Sequence, residues 1–246
     1  MATVGHGQSS IGHDRQDNFS PRGRSLENDF RRLIDDERFH DIALKCSDGK
    51  IIYGCKAILA TRSDVFNSSI FSETVDNKLS FKNINSTAMK IILEFLYTSK
   101  VEKENLTVDN VIEVYNASID FKLIDLLEYL IEFTKKSLTD GDANVGKNLL
   151  SKCVEKFSLK VDNEISKILI EWVAKNKLEK TKIDSLSLEG LKYLLEKTLD
   201  AQTPFATPEF DIWQYTLVKV TRNVTKNETL VEKILNGNLF HCVLHN

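Results

Sequence analysis

At 246 residues the chain is long enough for one large domain or two small ones, and 41% apolar content supplies a core. With 33 basic residues against 36 acidic ones and a formal charge of −3, the balance argues against a nucleic-acid polyanion as the main partner, because phosphate binding needs concentrated positive charge. No apolar run approaches the roughly 18 residues of a membrane span, and Met1 to Gly12 lacks the apolar core of a signal peptide.

Residues 1–24 are polar and rich in Gly, Ser, His and Arg, with Phe19 as the only aromatic. They cannot bury enough surface to offset chain entropy, so a disordered arm is predicted. Leu26, Phe30, Leu33 and Ile34 then recur at helical spacing. Ile42, Leu44 and Cys46 alternate with Ala43 and Lys45, the period of a strand with one buried face. Asp48-Gly49 tolerates the positive φ of a tight turn, which pairs Ile51–Gly54 back onto that strand. Ala57–Thr61 start a helix, and Leu79 and Phe81 mark a third short strand. Met89, Ile92, Leu93 and Leu96 form a helical stripe with Ser86 as its expected cap. Lys100–Val101 read as a short extended piece, and helices follow over about Asp109–Ser118 and Leu123–Ser137.

From residue 139 onward the pattern is helical throughout. The stripes are Leu149, Leu150, Cys153, Val154 and Phe157; Ile165, Ile168, Leu169, Trp172 and Val173; Leu188, Leu191, Leu195 and Leu199; Phe210, Trp213, Leu217 and Val220; and Leu230, Val231, Ile234 and Leu235. Pro204 and Pro208 break the chain between helices, and Glu209 suits a first helical turn. Both tryptophans sit on stripes, so core packing is expected of Trp172 and Trp213. The plan is mixed α+β first and all-α second.

His40-Asp41-Ile42, the Asp-Gly turn, Cys55-Lys56-Ala57-Ile58-Leu59-Ala60-Thr61-Arg62-Ser63, Val65-Phe66 and Leu93-Glu94-Phe95-Leu96-Tyr97-Thr98 follow one another in an order that resembles the BTB/POZ domain over about a hundred residues. Cys55 stands where that family usually has His. Asn148–Leu159, Leu169–Asn176, Leu186–Leu191 and Thr207–Trp213 are similar to the BACK domain that commonly follows a BTB domain. The resemblance implies an α+β BTB/POZ domain at 25–138, a short mixed sheet flanked by helices. An all-α BACK-like helical domain is implied at 139–246, truncated where relatives often continue into a propeller or another recognition domain.

Functional expectations follow from the resemblance. In the family the first helix packs across the two-fold axis of a homodimer, which implies a dimer interface through Leu26, Phe30 and Leu33. Asp41 and Lys56 are expected to form a charged pair in a pocket near that interface. A half-buried carboxylate requires a cation or hydrogen-bond donors, since an unpaired buried charge costs about 3–5 kcal/mol. Many BTB proteins bind a cullin scaffold through an apolar residue, any residue, then Glu; Phe71 and Glu73 occupy that position. The segment Ser72–Lys78 is short for the family.

Other motifs carry less. Gly141–Asn148 nearly spells a phosphate-binding loop, but Asn148 stands where Ser or Thr must hold magnesium, no strand precedes it, and Asp142 would repel phosphate. It reads instead as a glycine-terminated helix followed by a linker. His241, Cys242 and His245 offer three crowded ligands where a structural zinc takes four, so no metal site is predicted. The four cysteines, Cys46, Cys55, Cys153 and Cys242, lack CxxC spacing and read as reduced thiols of the cytoplasm or nucleus. No G-x-S-x-G elbow, no H-E-x-x-H and no Cys–His arrangement with a third partner supports catalysis, so neither an enzyme nor a cofactor is predicted. The resemblance implies a homodimeric adaptor that brings an unknown substrate protein to a cullin-RING ubiquitin ligase. The alternative is a scaffold without cullin binding, assembling with itself or another BTB chain; neither reading involves nucleic acid or membrane.

Overall fold

A computed structural model describes residues 21–72, 77–157, 163–179, 185–199, 205–225 and 228–235. Most of the arm at 1–24, together with Glu73, Pro204, His241, Cys242 and His245, lies outside them. Helix α1 (Leu26–Asp35) starts where the Ser25 hydroxyl accepts from the amide of Asn28 at 3.3 Å. A single 3-10 turn, Glu37–Phe39, leads into strand β1 (Ile42–Lys45). The hairpin turns at Gly49, whose φ of 80° lies in the left-handed region that glycine accepts without penalty. Strand β2 (Ile51–Gly54) then pairs antiparallel with β1, Leu44 opposite Ile52. Helices α2 (Lys56–Arg62) and α3 (Asp64–Ile70) are separated at Ser63, which ends the first and caps the second by accepting from the Phe66 amide at 3.4 Å.

Strand β3 (Lys78–Ser80) lies parallel to β1, with Leu79 opposite Leu44, so the order is β2-β1-β3. The expected short mixed sheet flanked by helices is therefore present. β1 is central, and its Ile42 and Leu44 are buried as the alternation predicted. Helix α4 (Ser86–Thr98) is the hub of this region, packing on α1, α2, α5 and β2. Its cap is not Ser86. Asn85 Oδ1 accepts from the Ala88 amide at 2.8 Å, and the Ser86 hydroxyl donates to Asp48 at 2.6 Å, tying the helix to the hairpin turn. Lys100–Val101 belongs to no sheet among the described residues.

Helices α5 (Val111–Asp120) and α6 (Ile124–Asp140) complete the first part. The remainder is helical: α7 (Ala143–Lys156), α8 (Glu164–Lys175), α9 (Leu188–Thr198), α10 (Glu209–Thr225) and α11 (Glu228–Leu235). The core is continuous from Ile42 to Val231. α5 packs on α7, and the junction carries Lys152–Asp109 and Lys156–Glu113 ion pairs at 2.7 and 2.5 Å.

The stretch resembling a phosphate loop has a packing role. Gly146 sits inside α7 and faces Trp172 of α8, where an added Cβ would fall 2.3 Å from the indole Cε3 and 3.1 Å from Leu138 Cδ2. The indole thus lies against bare backbone. Gly146→Ala would normally gain about 1 kcal/mol of helix propensity. Here it is expected to destabilise by about 1–3 kcal/mol, because an indole held between two helices has no room to retreat. Urea denaturation measures the sign, and a gain in stability would show that α7 and α8 are further apart.

Candidate protein-interaction surface

The sequence places Leu26, Phe30 and Leu33 on one side of α1. None of that helix's ten residues is buried: Leu26 is 74% exposed, and Phe30 and Leu33 only partly cover the core. Phe30, Leu33 and Ile34 pack partly against the core, and a polar contact holds the helix beside them.

The holding group is Arg31, on the polar side of α1. Its Nη1 lies 2.6 Å from Glu94 Oε1 and 3.0 Å from Glu102, and its Nη2 3.4 Å from Glu27. Glu94, in α4, is 5% exposed. Its two oxygens also accept from the Glu102 amide and from Asn105 Nδ2, each at 2.8 Å. Lys100 extends the cluster by pairing with Glu27 at 2.6 Å, which keeps the Glu27 carboxyl below its ordinary range. The buried carboxylate is thereby satisfied on both oxygens by three donors, as its desolvation demands. The same fork fixes α1 against α4 and the loop after it. It acts beside the partial packing of Phe30, Leu33 and Ile34 on the core, while Leu26 stays exposed. Sequence reasoning missed this pair, although Glu94 interrupts the apolar run Ile91-Ile92-Leu93-Glu94-Phe95-Leu96. A carboxylate on the buried side of a helix announces a cation elsewhere in the chain; the sequence does not say that Arg31, 63 positions away, is the one.

Asp41 and Lys56 meet, but not as the expected charged pair. Asp41 Oδ1 accepts from the backbone amide of Lys56 at 2.7 Å, at the start of α2, while the Lys56 ammonium donates to the Asn77 side chain. Asp41 is solvent-exposed and Lys56 half-buried, so no buried charge calls for a counter-ion. The carboxylate serves as a remote cap, favoured by the positive end of the helix and needed because Cys55, the residue in the cap position, makes no side-chain bond there. The neighbouring Cys55 amide donates to the Tyr97 hydroxyl at 2.8 Å. Burial pushes that hydroxyl up to about 12, so it stays protonated and neutral inside the core. Asp41, Lys56 and Tyr97 together seat α2 between β2 and α4.

Phe71 ends α3 and its side chain is 72% exposed. An aromatic left this far in water at a helix end contributes little burial to its own fold. Its partner in the motif, Glu73, lies outside the described residues. On β2, Ile51 and Tyr53 point outward at 42% and 52% exposure, and Tyr53 stacks on His40 with ring centres 6.0 Å apart. No described helix is long and apolar enough to cross a membrane.

Residues 30–138, from Phe30 of α1 to Leu138 of α6, match the BTB/POZ domain and form one. The chain is 26% identical over 176 residues to Kelch-like protein 15 of Gallus gallus, a match covering 70% of this chain and 31% of that protein. It is 28% identical over 109 residues to Zinc finger and BTB domain-containing protein 44 of Mus musculus, covering 43% of this chain and 23% of that one. The chain thus spans less than a third of either relative. Among solved structures, the BTB domain of human Gigaxonin is 25% identical, covers 52% of this chain and 99% of its own, and superposes with a TM-score of 0.36. The Kelch-like match, at 176 residues, is longer than the stretch up to residue 138 and so runs on into the C-terminal helices.

Proposed function

From a BTB/POZ domain whose first helix leaves Leu26 exposed and Phe30 and Leu33 half-buried, we propose that this chain is a homodimeric adaptor of a cullin-RING ubiquitin ligase. The observation that carries the proposal is Phe71, 72% exposed at the end of α3, where the family resemblance puts the cullin contact. Dimerisation would bury Leu26, Phe30 and Leu33 of each copy against their equivalents, as a closed two-fold requires. The adaptor does no bond chemistry. It raises the effective concentration of a substrate protein beside the ligase, and two copies add avidity. The helices after residue 138 act as a BACK-like spacer, and the protein works in the cytoplasm, with the nucleus a second compartment.

The test is light scattering on a sizing column with the amino-terminal half of a BTB-binding cullin. The expected mass is two chains with two cullins. Phe71→Ala should weaken cullin binding by about 2 kcal/mol, the size of an aromatic hot spot, and leave the dimer intact. A bare dimer eluting apart from free cullin would overturn the adaptor and leave a scaffold that assembles with itself or another BTB chain.

A further inference from the structure

The chain reverses direction just ahead of α1. Gly23 takes a φ of 82°, in the left-handed region open to glycine. Its amide donates to the Asp29 carboxylate at 2.7 Å, back on the body of the helix. The residue before it therefore lies alongside α1 instead of leading away from it. Arg22 lines one pocket with Leu26, Asp29, Phe30, Arg32 and Leu33, on the side of α1 proposed above for dimerisation. Its charge also reaches the carboxy-terminal end of the helix. The Asp36 carboxyl is held down at about 2 by its hydrogen bond with Arg38, and Arg22 adds to that effect. Followed backwards from Gly23, the chain thus heads along α1 over its apolar side.

Twenty residues precede Pro21. Extended chain covers about 3.3 Å per residue and α1 is about 15 Å long, so about five of them span the helix. Phe19, the only aromatic of the arm, stands three positions before Arg22 and so falls within about 10 Å of it. Leu26 is 74% exposed and Phe30 and Leu33 are half-buried, so the pocket that Arg22 borders has apolar walls still open to water. The charges bordering that pocket are Arg22, Asp29 and Arg32, two positive against one negative. The arm brings Asp14, Arg15 and Asp17, two negative against one positive. A segment tethered this close meets the pocket at an effective concentration on the order of millimolar.

We propose that the arm is an intramolecular cover of α1, laid back over Leu26, Phe30 and Leu33 with Phe19 as its anchor, so that arm and partner copy compete for one surface. The competition rests on the homodimer reading; the seat of the arm does not. Each copy must open before two can pair, so the closed fraction of both weakens the dimer. A cover open about a tenth of the time weakens it about a hundredfold.

Two measurements on the full chain test this. In dilute solution a short bis-maleimide should join Phe19→Cys to Leu33→Cys within the 28.0 kDa monomer, read by mass spectrometry of the linked peptides. It should join Phe19→Cys to Asp35→Cys far less, since that exposed position lies about 200° round the helix from Leu33. In sedimentation, Phe19→Asp should tighten the dimer by roughly ten- to a hundredfold, while Phe19→Leu stays near the wild type. Gly23→Ala should shift the dimer in the same direction as Phe19→Asp, because its Cβ meets nothing within 4 Å and strains only the left-handed turn. Equal linking at positions 33 and 35, or none at 33, overturns the proposal. Where the wild type dimerises, a Phe19→Asp dimer no tighter than it does the same, and a weaker one would put the arm inside the interface. If every chain stays monomeric at all concentrations while the link to position 33 forms, the homodimer reading fails and the cover stands.

Discussion

Arg31→Ala is expected to destabilise the protein by about 3–5 kcal/mol, since it removes one partner of a buried ion pair and leaves the other's charge uncompensated. The reason is local. Glu94 is 5% exposed in the middle of α4, and among the described residues Arg31 is the only cation bonded to it. Its remaining donors, the Glu102 amide and Asn105, are dipoles rather than charges. Guanidinium chloride denaturation, with fluorescence as the readout, gives the magnitude. A loss below about 1 kcal/mol would mean the pair is solvated and behaves like a surface bridge. The double variant Arg31→Met, Glu94→Leu separates charge from contact. It deletes both charges and keeps volume, so it should recover part of the loss, the remainder reflecting the Glu102 amide and Asn105 left without their acceptor. Hydrogen exchange should also show α1 losing protection in Arg31→Ala before α4 does, because α1 has no buried residue of its own. On the proposal that α1 carries the dimer interface, Arg31→Ala should also weaken the dimer, because the Arg31–Glu94 pair helps hold that helix in place.

A second large loss is expected at Phe66. Its ring is fully buried, stacked on Phe121 with centres 4.5 Å apart and edge-on to Phe81 at 5.9 Å; Phe81 and Phe121 in turn meet at 5.4 Å. Three segments far apart in sequence, α3, the residue after β3 and the end of α5, close on one another through these rings. Phe66→Ala should cost about 3–5 kcal/mol, the sum of lost transfer energy and the cavity left between two rings anchored elsewhere. Phe66→Leu, which refills part of that space, should cost less than half as much, and equal losses in the two variants would argue that strain rather than a cavity decides the effect. Thermal unfolding in the presence and absence of cullin adds a functional reading. On the proposed adaptor role, the alanine variant should lose cullin affinity as well as stability, because Phe66 fixes the helix that ends at Phe71, whereas Phe71→Ala should lose affinity alone.

The order of elements was legible in the sequence because each short stretch carries its own period. Ile42, Leu44 and Cys46 alternate, Asp48-Gly49 supplies the turn, and the stripes of α4, α6 and α8 repeat at helical spacing; all of these depend on neighbours within a few residues. Capping was legible only to within a residue. Ser86 and Asn85 are both good caps, and Asp48 on the hairpin turn decided between them by taking the Ser86 hydroxyl.

What the sequence by itself determined is therefore the set of helices and strands and the residues that line β1 and α4. Only the tertiary structure decided which groups meet. It joined Arg31 to Glu94, turned Asp41 from an ion-pair partner into a cap for α2, and set Gly146 against Trp172. It also left Phe210, Trp213 and Val220 of α10 exposed, where the stripe at 210, 213, 217 and 220 looks like core in a sequence. Periodicity specifies that one side of a helix is apolar, since that depends on spacing along a single element. Which side faces the chain depends on what other elements bring to it, and for α10 those elements cover Tyr215 and Val218 instead.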